Sequence, residues 1–207
     1  MQDPNTDFKE QMIEARRTQI LMGAAQVFAK KGFHKATTKA IARAAGVAEG
    51  TIYNYFSNKR ELLLAMVEMI GAQSLKSIIV DRPPDDPKEF LTMVLRDRLQ
   101  LIQDRGHLMA PLVAEIFSDA TLRVEVYSQI LRPLTDLVEQ YLQHQVDEGK
   151  LRAINPIITT RAFMGTLILN AIIKFSEVDP RYEDISIETL VEEIVSLYLD
   201  GILAGDD

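Results

Sequence analysis

Seven residues in one stretch of the chain carry groups suited to meeting a polyanion: Thr38, Lys39, Thr51, Tyr53, Asn54, Tyr55 and Lys59. Thr38 brings a hydroxyl to a place where a helix would begin, so backbone amides there can join it against a phosphate. Tyr53 and Tyr55 offer phenol hydroxyls, although each ring could equally be a core aromatic. Lys59 can neutralise a phosphate, or it is a solvated lysine at a helix start. Lys39 and Thr51 are better placed for base edges, and Asn54 can pair with adenine through both amide atoms. The surrounding charge agrees with these roles. Between Ala15 and Arg60 stand nine Lys or Arg and a single acid, Glu49, a balance of +8. The whole chain carries −7, which leaves −15 for the rest. A basic module on an acidic body is the asymmetry expected when one end approaches phosphates. Glu49 could read a cytosine amino group or simply favour a helix N-terminus, and the second reading is preferred.

Such residues need a scaffold that brings one short helix up to a groove. Thr37 to Tyr53 has the form of a helix-turn-helix. Ala42 is small where two helices touch, Gly46 permits the turn, and Val47 is apolar just after it. Ile41, Ala45, Ile52 and Phe56 supply the packing, while Gly50, without a Cβ, lets the backbone come close to DNA. Apolar periodicity predicts about nine helices and no strand, an all-α fold. The first runs from Phe8 to Lys31, with Ile20, Leu21, Ala24, Val27 and Phe28 on one face and Gly32 as its stop. Thr37 or Thr38 caps a second that reaches Ala45, and a third covers Glu49 to Tyr55. Asn58-Lys59-Arg60-Glu61 resembles a capping box opening a fourth helix to Val80. The break Asp81 to Pro87 follows, with Asp86 as N-cap and Pro87 in the first turn of a fifth helix to Arg105. Gly106 is expected to separate it from a sixth, Met109 to Phe117. A seventh spans Thr121 to Glu148, kinked or broken at Pro133. Asn155-Pro156 opens an eighth, Asp179-Pro180 closes its tail, and Ser186 caps a ninth that reaches Leu203.

Residues 16 to 63 closely resemble the DNA-binding region of the TetR family of bacterial regulators. The matching positions are Arg17, Ile20-Leu21, Ala24-Ala25, Phe28, Gly32-Phe33, Thr37-Thr38, Ile41-Ala42, Ala45-Gly46-Val47, Gly50-Thr51-Ile52-Tyr53, Tyr55-Phe56, Lys59 and Leu62-Leu63. Many positions at fixed spacing make this far more specific than a short motif. The resemblance implies a three-helix DNA head, a linking helix, and a homodimer on a near-palindromic operator in double-stranded DNA. It also implies that Thr38, Lys39, Thr51, Tyr53, Tyr55 and Lys59 contact the DNA. Ala48 stands where the family often has Ser, and Tyr55 where it often has His. Repression is the commoner outcome in the family. The expected division is therefore a DNA-binding domain over 8–58 and a ligand-binding and dimerisation domain over 59–207, with 59–80 as the linking lever.

In the body, the helices near 156–177 and 187–203 are apolar nearly all round. Helices of that kind bury more than one face, and the second face is expected to meet another copy across a two-fold axis. Ligand candidates are Met93, Met109, Phe117, Tyr127, Phe163, Leu167 and Asn170, suited to a small apolar or amphipathic effector; for each, ordinary core is the alternative. Asn170, between Leu169 and Ala171, needs a partner: a ligand, a helix across the dimer or a backbone group. There is no P-loop, GxGxxG, GxSxG or HExxH, so no enzyme, cofactor or metal is expected. His107 and His144 have no neighbours at metal-ligand spacing. Cys is absent and Met1 to Glu10 is polar, unlike a signal peptide, which points to a cytoplasmic protein. Ile157 to Phe175 is the nearest approach to a membrane span, but Arg161, Asn170 and Lys174 interrupt it, so no membrane partner is expected.

Overall fold

The computed structural model describes residues 4–81, 83–176 and 178–202. Its order is α1 (Pro4–Lys35), α2 (Thr38–Ala45), α3 (Glu49–Tyr53), α4 (Lys59–Gly71), α5 (Gln73–Lys76), a π-helical turn (Ser77–Asp81), α6 (Pro87–Ser118), α7 (Ala120–Val126), a second π-helical turn (Tyr127–Leu131), α8 (Arg132–Asp147), α9 (Pro156–Phe175), a 3-10 turn (Pro180–Tyr182) and α10 (Ile187–Ile202). The fold is all-α. Arg82, Glu177 and Leu203, which the expected break and interface ranges included, lie outside the described residues.

Local chemistry sets most helix starts. Thr37 Oγ1 accepts from the Ala40 amide at 3.1 Å, which makes Thr37 the N-cap of α2. Asn58 Oδ1 accepts from Glu61 N at 2.9 Å, and the Glu61 carboxylate reaches back to Ser57 N at 2.7 Å. This is a capping box whose return bond lands one residue early. Asp86, Asn155 and Ser186 cap α6, α9 and α10 through the amides of Lys88, Ile158 and Thr189. Ala48, which has no side-chain acceptor, leaves the start of α3 without a side-chain cap. Gly32 breaks the helical path of α1 with φ 72° and ψ 162°, so the expected stop is present although the backbone turns helical again to Lys35.

Two expectations are corrected, and a third, the break of the seventh helix near Pro133, is met. The fourth helix does not run to Val80. It ends at Gly71, whose carbonyl accepts from the Arg98 guanidinium, and the β-branched run Ile78-Ile79-Val80 lies in a widened π turn. Gly106 does not separate two helices: Pro87–Ser118 is one helix, with Pro111 inside it. One glycine in a helix costs only about 1 kcal/mol relative to alanine, and continuing apolar periodicity outweighs that. The expected seventh helix is divided ahead of Pro133, which stands in the first turn of α8 just after the π turn. There its missing N–H and fixed φ are tolerated.

The chain divides into two compact units. The first takes in the residues up to Ile70 and His107–Val126. Ile20, Leu21, Phe28, Ile41, Ile52, Phe56, Leu62, Leu63 and Met66 are among its fully buried large side chains. The second takes in Gly71–Gly106 and the chain from Tyr127 onward. Its core joins Phe90, Leu95 and Leu99 of α6, Tyr141 and Leu142 of α8, Phe163 and Leu167 of α9, and Val191 and Val195 of α10.

Candidate nucleic-acid interface

The turn between α2 and α3 is built from the inside outward. Gly46 takes φ 67° and its amide closes onto the Ala42 and Arg43 carbonyls. A non-glycine residue would be strained there. Ile41, Ala42, Ala45, Ile52 and Phe56 are buried beneath the turn. Helix α1 holds the end of α2 at close range. A Cβ on Gly23 would stand 2.7 Å from Ala45 N, and Gln19 Nε2 donates to the Ala45 carbonyl at 2.6 Å. The pose of α2, and with it of α3, is therefore set by backbone-to-backbone contact with α1. Gly50 is different. It is exposed and a Cβ there would meet nothing within 4 Å, so the chain's own packing gives no reason for glycine.

The candidate residues come together on this head. Lys39 is exposed on α2. Tyr53 and Asn54 are exposed at the end of α3, Tyr53 by 54%, while Thr38, Thr51 and Tyr55 are half-buried. Thr38 Oγ1 donates to Glu49 Oε1 at 2.7 Å and lies 3.3 Å from the Tyr53 hydroxyl, which joins the first turn of α2 to both ends of α3. Lys39 and Arg43, one turn apart on α2, make no ion pair among the described residues, and neither do Lys30, Lys31 and Lys35 on α1. These cations leave the head electropositive.

Lys59, a candidate phosphate neutraliser, is engaged within the head: its ammonium donates to the Phe33, His34 and Ala36 carbonyls at 2.6, 3.2 and 3.1 Å and sits 4.4 Å from the Phe33 ring centroid. Those carbonyls lie where the backbone leaves α1, so the side chain ties α4 to that corner. Four further contacts of the first unit join residues distant in the sequence. Arg17 lies over the Phe56 ring. His34 Nε2 approaches Glu115 Oε1 at 2.9 Å without an aligned hydrogen bond. Arg60 pairs with Glu125 at 2.6 Å and with Asp119 at 3.7 Å. The Asp119 carboxyl is held below its usual range first by the Leu122 amide and then by that of Thr121, with smaller pulls from Arg60 and His34 opposing desolvation. Partners 39 to 81 positions apart leave no periodic trace in a sequence.

The ligand candidates are dispersed. Met109 and Phe117 belong to the first unit, where Phe117 is 70% exposed; Met93, Tyr127, Phe163, Leu167 and Asn170 belong to the second. Phe163 and Leu167 are buried core, with Tyr198 edge-on to Phe163. Asn170 finds its partners within the chain: Nδ2 donates to the Thr166 carbonyl at 2.8 Å, and Oδ1 accepts from Tyr182 at 2.9 Å. Met93 is half-buried and Tyr127 is exposed. An open groove of about 520 Å³ on the second unit is lined by Asp136, Glu139, Gln140, Gln143 and Ile154 to Ile157, and by none of the seven. By length and composition α9 could cross a membrane. Its interrupting polar groups are engaged by neighbouring elements, however. Arg161 pairs with Glu139, and Lys174 Nζ donates to the Tyr182 and Glu183 carbonyls.

Residues 20–66 match the family model described as bacterial regulatory proteins, tetR family. The fatty acid metabolism regulator protein of Bacillus subtilis is 25% identical over 179 residues, covering 86% of this chain and 92% of that protein. The HTH-type transcriptional regulator UidR of Escherichia coli K12 is 26% identical over 189 residues, covering 91% and 93%. In fold, the chain is similar to the crystal structure of the transcriptional regulator FadR from Bacillus subtilis in complex with stearoyl-CoA, with a TM-score of 0.75 at 23% identity, covering 89% of this chain and 98% of that one. The matched region coincides with the helix-turn-helix head, so residues 20–66 form a DNA-binding region similar to that of the tetR family of bacterial regulatory proteins.

Proposed function

We propose that the chain is a homodimeric repressor that binds a palindromic operator and leaves it when a small apolar or amphipathic effector binds the body. The head over 8–58 reads DNA, with Thr38, Lys39, Thr51, Tyr53, Asn54 and Tyr55 as contacts and Lys59 as the brace behind them. The region over 59–207 senses and dimerises. The observation that carries the reading is the outward apolar face of α9 and α10. Ile157, Ile158, Ile168, Leu169, Ile172 and Leu197 are 50–75% exposed in the single chain. So much aliphatic surface on two adjacent helices of one unit calls for a cover, and a second copy related by a two-fold axis supplies the same helices. Two identical heads then favour an inverted repeat with half-sites about 34 Å apart.

The ligand response is a population shift. An effector that binds better when the heads are wrongly spaced lowers operator affinity by the ratio of its affinities for the two states. The stearoyl-CoA held by FadR is an amphipathic ligand on a similar fold and supports this effector class. Selection from random duplexes, followed by titration with and without stearoyl-CoA and shorter acyl-CoAs, tests each part. The expected results are an enriched inverted repeat, two chains per site and weaker binding with one of these ligands. Enrichment of a single half-site by a monomer would end the dimer reading. Equal operator affinity with every ligand that binds the protein would end the ligand response.

A further inference from the structure

We propose that Glu49 is an internal counter-anion of the DNA-reading surface, whose carboxylate occupies the hydroxyl that would otherwise meet a phosphate and so weakens binding to duplex DNA of any sequence. The proposal rests on the DNA-binding reading of the head and adds to it a residue that sets affinity and its salt dependence.

Glu49 is the one acid among nine cations between Ala15 and Arg60. It is not a stray charge on a solvated face, because its Oε1 accepts from Thr38 Oγ1 at 2.7 Å. A threonine hydroxyl has one hydrogen, and a carboxylate can only accept. The contact of 3.3 Å between Thr38 Oγ1 and Tyr53 Oη therefore has the phenol as donor. The result is a directed chain, Tyr53 to Thr38 to Glu49. Two hydroxyls suited to meeting DNA thus point toward a carboxylate supplied by the protein. All three residues lie on the helices of the turn, and Glu49 and Tyr53 are exposed. A DNA phosphate reaching Thr38 must take that hydrogen from Glu49 or share it with the carboxylate in a bifurcated bond.

The repulsion can be sized from this geometry. Two anionic acceptors on one hydroxyl, each at a hydrogen-bond distance, stand at most about 5.4 Å apart. In water, like charges at that separation lower affinity about fourfold, and physiological salt reduces the factor to about twofold. The penalty falls on every phosphate that approaches Thr38. Base contacts add to the affinity of a preferred site without removing this term, so selected and random duplexes share the penalty.

The test measures affinity for a random-sequence duplex and for the selected site by fluorescence anisotropy, with the full chain, across a salt series. Parent, Glu49→Gln, Thr38→Val and the double variant are compared, each checked for its thermal unfolding. Glu49→Gln keeps an acceptor for Thr38 and removes the charge. It is expected to tighten binding to random and selected duplexes alike, about fourfold per head at low salt, and to lose most of that gain as salt rises. In the Thr38→Val background the gain is expected to fall below twofold. Unchanged or weaker random binding by folded Glu49→Gln would overturn the proposal. So would a gain independent of salt, or a gain on random duplex that is absent on the selected site. Failure of every protein, parent included, to bind any duplex would instead remove the DNA-binding reading on which the proposal rests.

Discussion

Replacing Gly23 with alanine probes the contact that sets the reading head. Gly23 lies within α1, where alanine is intrinsically the better helix former by about 1 kcal/mol. A propensity argument therefore predicts stabilisation. The packing predicts the opposite. The new methyl would stand 2.7 Å from both Ala45 N and Ala45 Cβ and 2.9 Å from its Cα. Carbon atoms rest at about 3.5–4.0 Å, so α1 and the end of α2 must part by roughly 0.7–1 Å. The opposing atoms include backbone, and the Ala45 carbonyl is tied to Gln19, so no rotamer change relieves the clash. Overpacking of this kind costs about 1–3 kcal/mol, and the rigid neighbour puts this case at the upper end. After the propensity gain is deducted, a net loss of about 1–2 kcal/mol remains. For a chain of this size that lowers Tm by roughly 2–8 °C. Thermal unfolding followed by circular dichroism reads the shift, and a duplex titration at a temperature where the variant is folded reads the displaced turn. A Tm equal to the parent's or higher would refute the reasoning, because the helix preference would then have outweighed the contact.

Gly106→Ala is the matched control: the site is helical and the added Cβ would meet only Ile102 Cγ2 at 3.7 Å, so this variant is expected to gain about 0.5–1 kcal/mol in denaturant unfolding. Lys59→Met should lose about 1–3 kcal/mol, because three carbonyls at the end of α1 lose a charged donor; stability unchanged in urea would return Lys59 to the role of a solvated cation. Tyr141 stacks on Phe90 with centroids 3.8 Å apart and donates to the Pro84 carbonyl at 2.9 Å. Burial first, then Asp86, Asp85 and Glu89, push its phenol well above the usual tyrosine range. The folded state therefore keeps this proton where the unfolded state loses it, so the stabilisation is complete below about pH 10 and declines as pH rises beyond it. Tyr141→Phe should flatten that alkaline decline, and an identical pH profile would show that Tyr141 is not its source.

What the linear order determined was the local part of this protein. Caps at Thr37, Asp86, Asn155 and Ser186, the stop at Gly32 and the turn at Gly46 depend on atoms within a few residues, and all are present. The buried faces of α1 and α2 follow from period 3.6 alone. The same local signals failed wherever a distant group competed. Gly71 ends α4 where Arg98, 27 positions away, takes its carbonyl. Lys59 turns inward because the Phe33, His34 and Ala36 carbonyls wait across the head. Asn170 finds its acceptor's partner in Tyr182, 12 positions away on another element. Glu49 could be seen as the odd acid in a basic segment, but not as the partner of Thr38. That pairing exists only once the turn has folded α3 back against α2, since hydrogen bonds and ion pairs act through space while sequence patterns record only what repeats along one element.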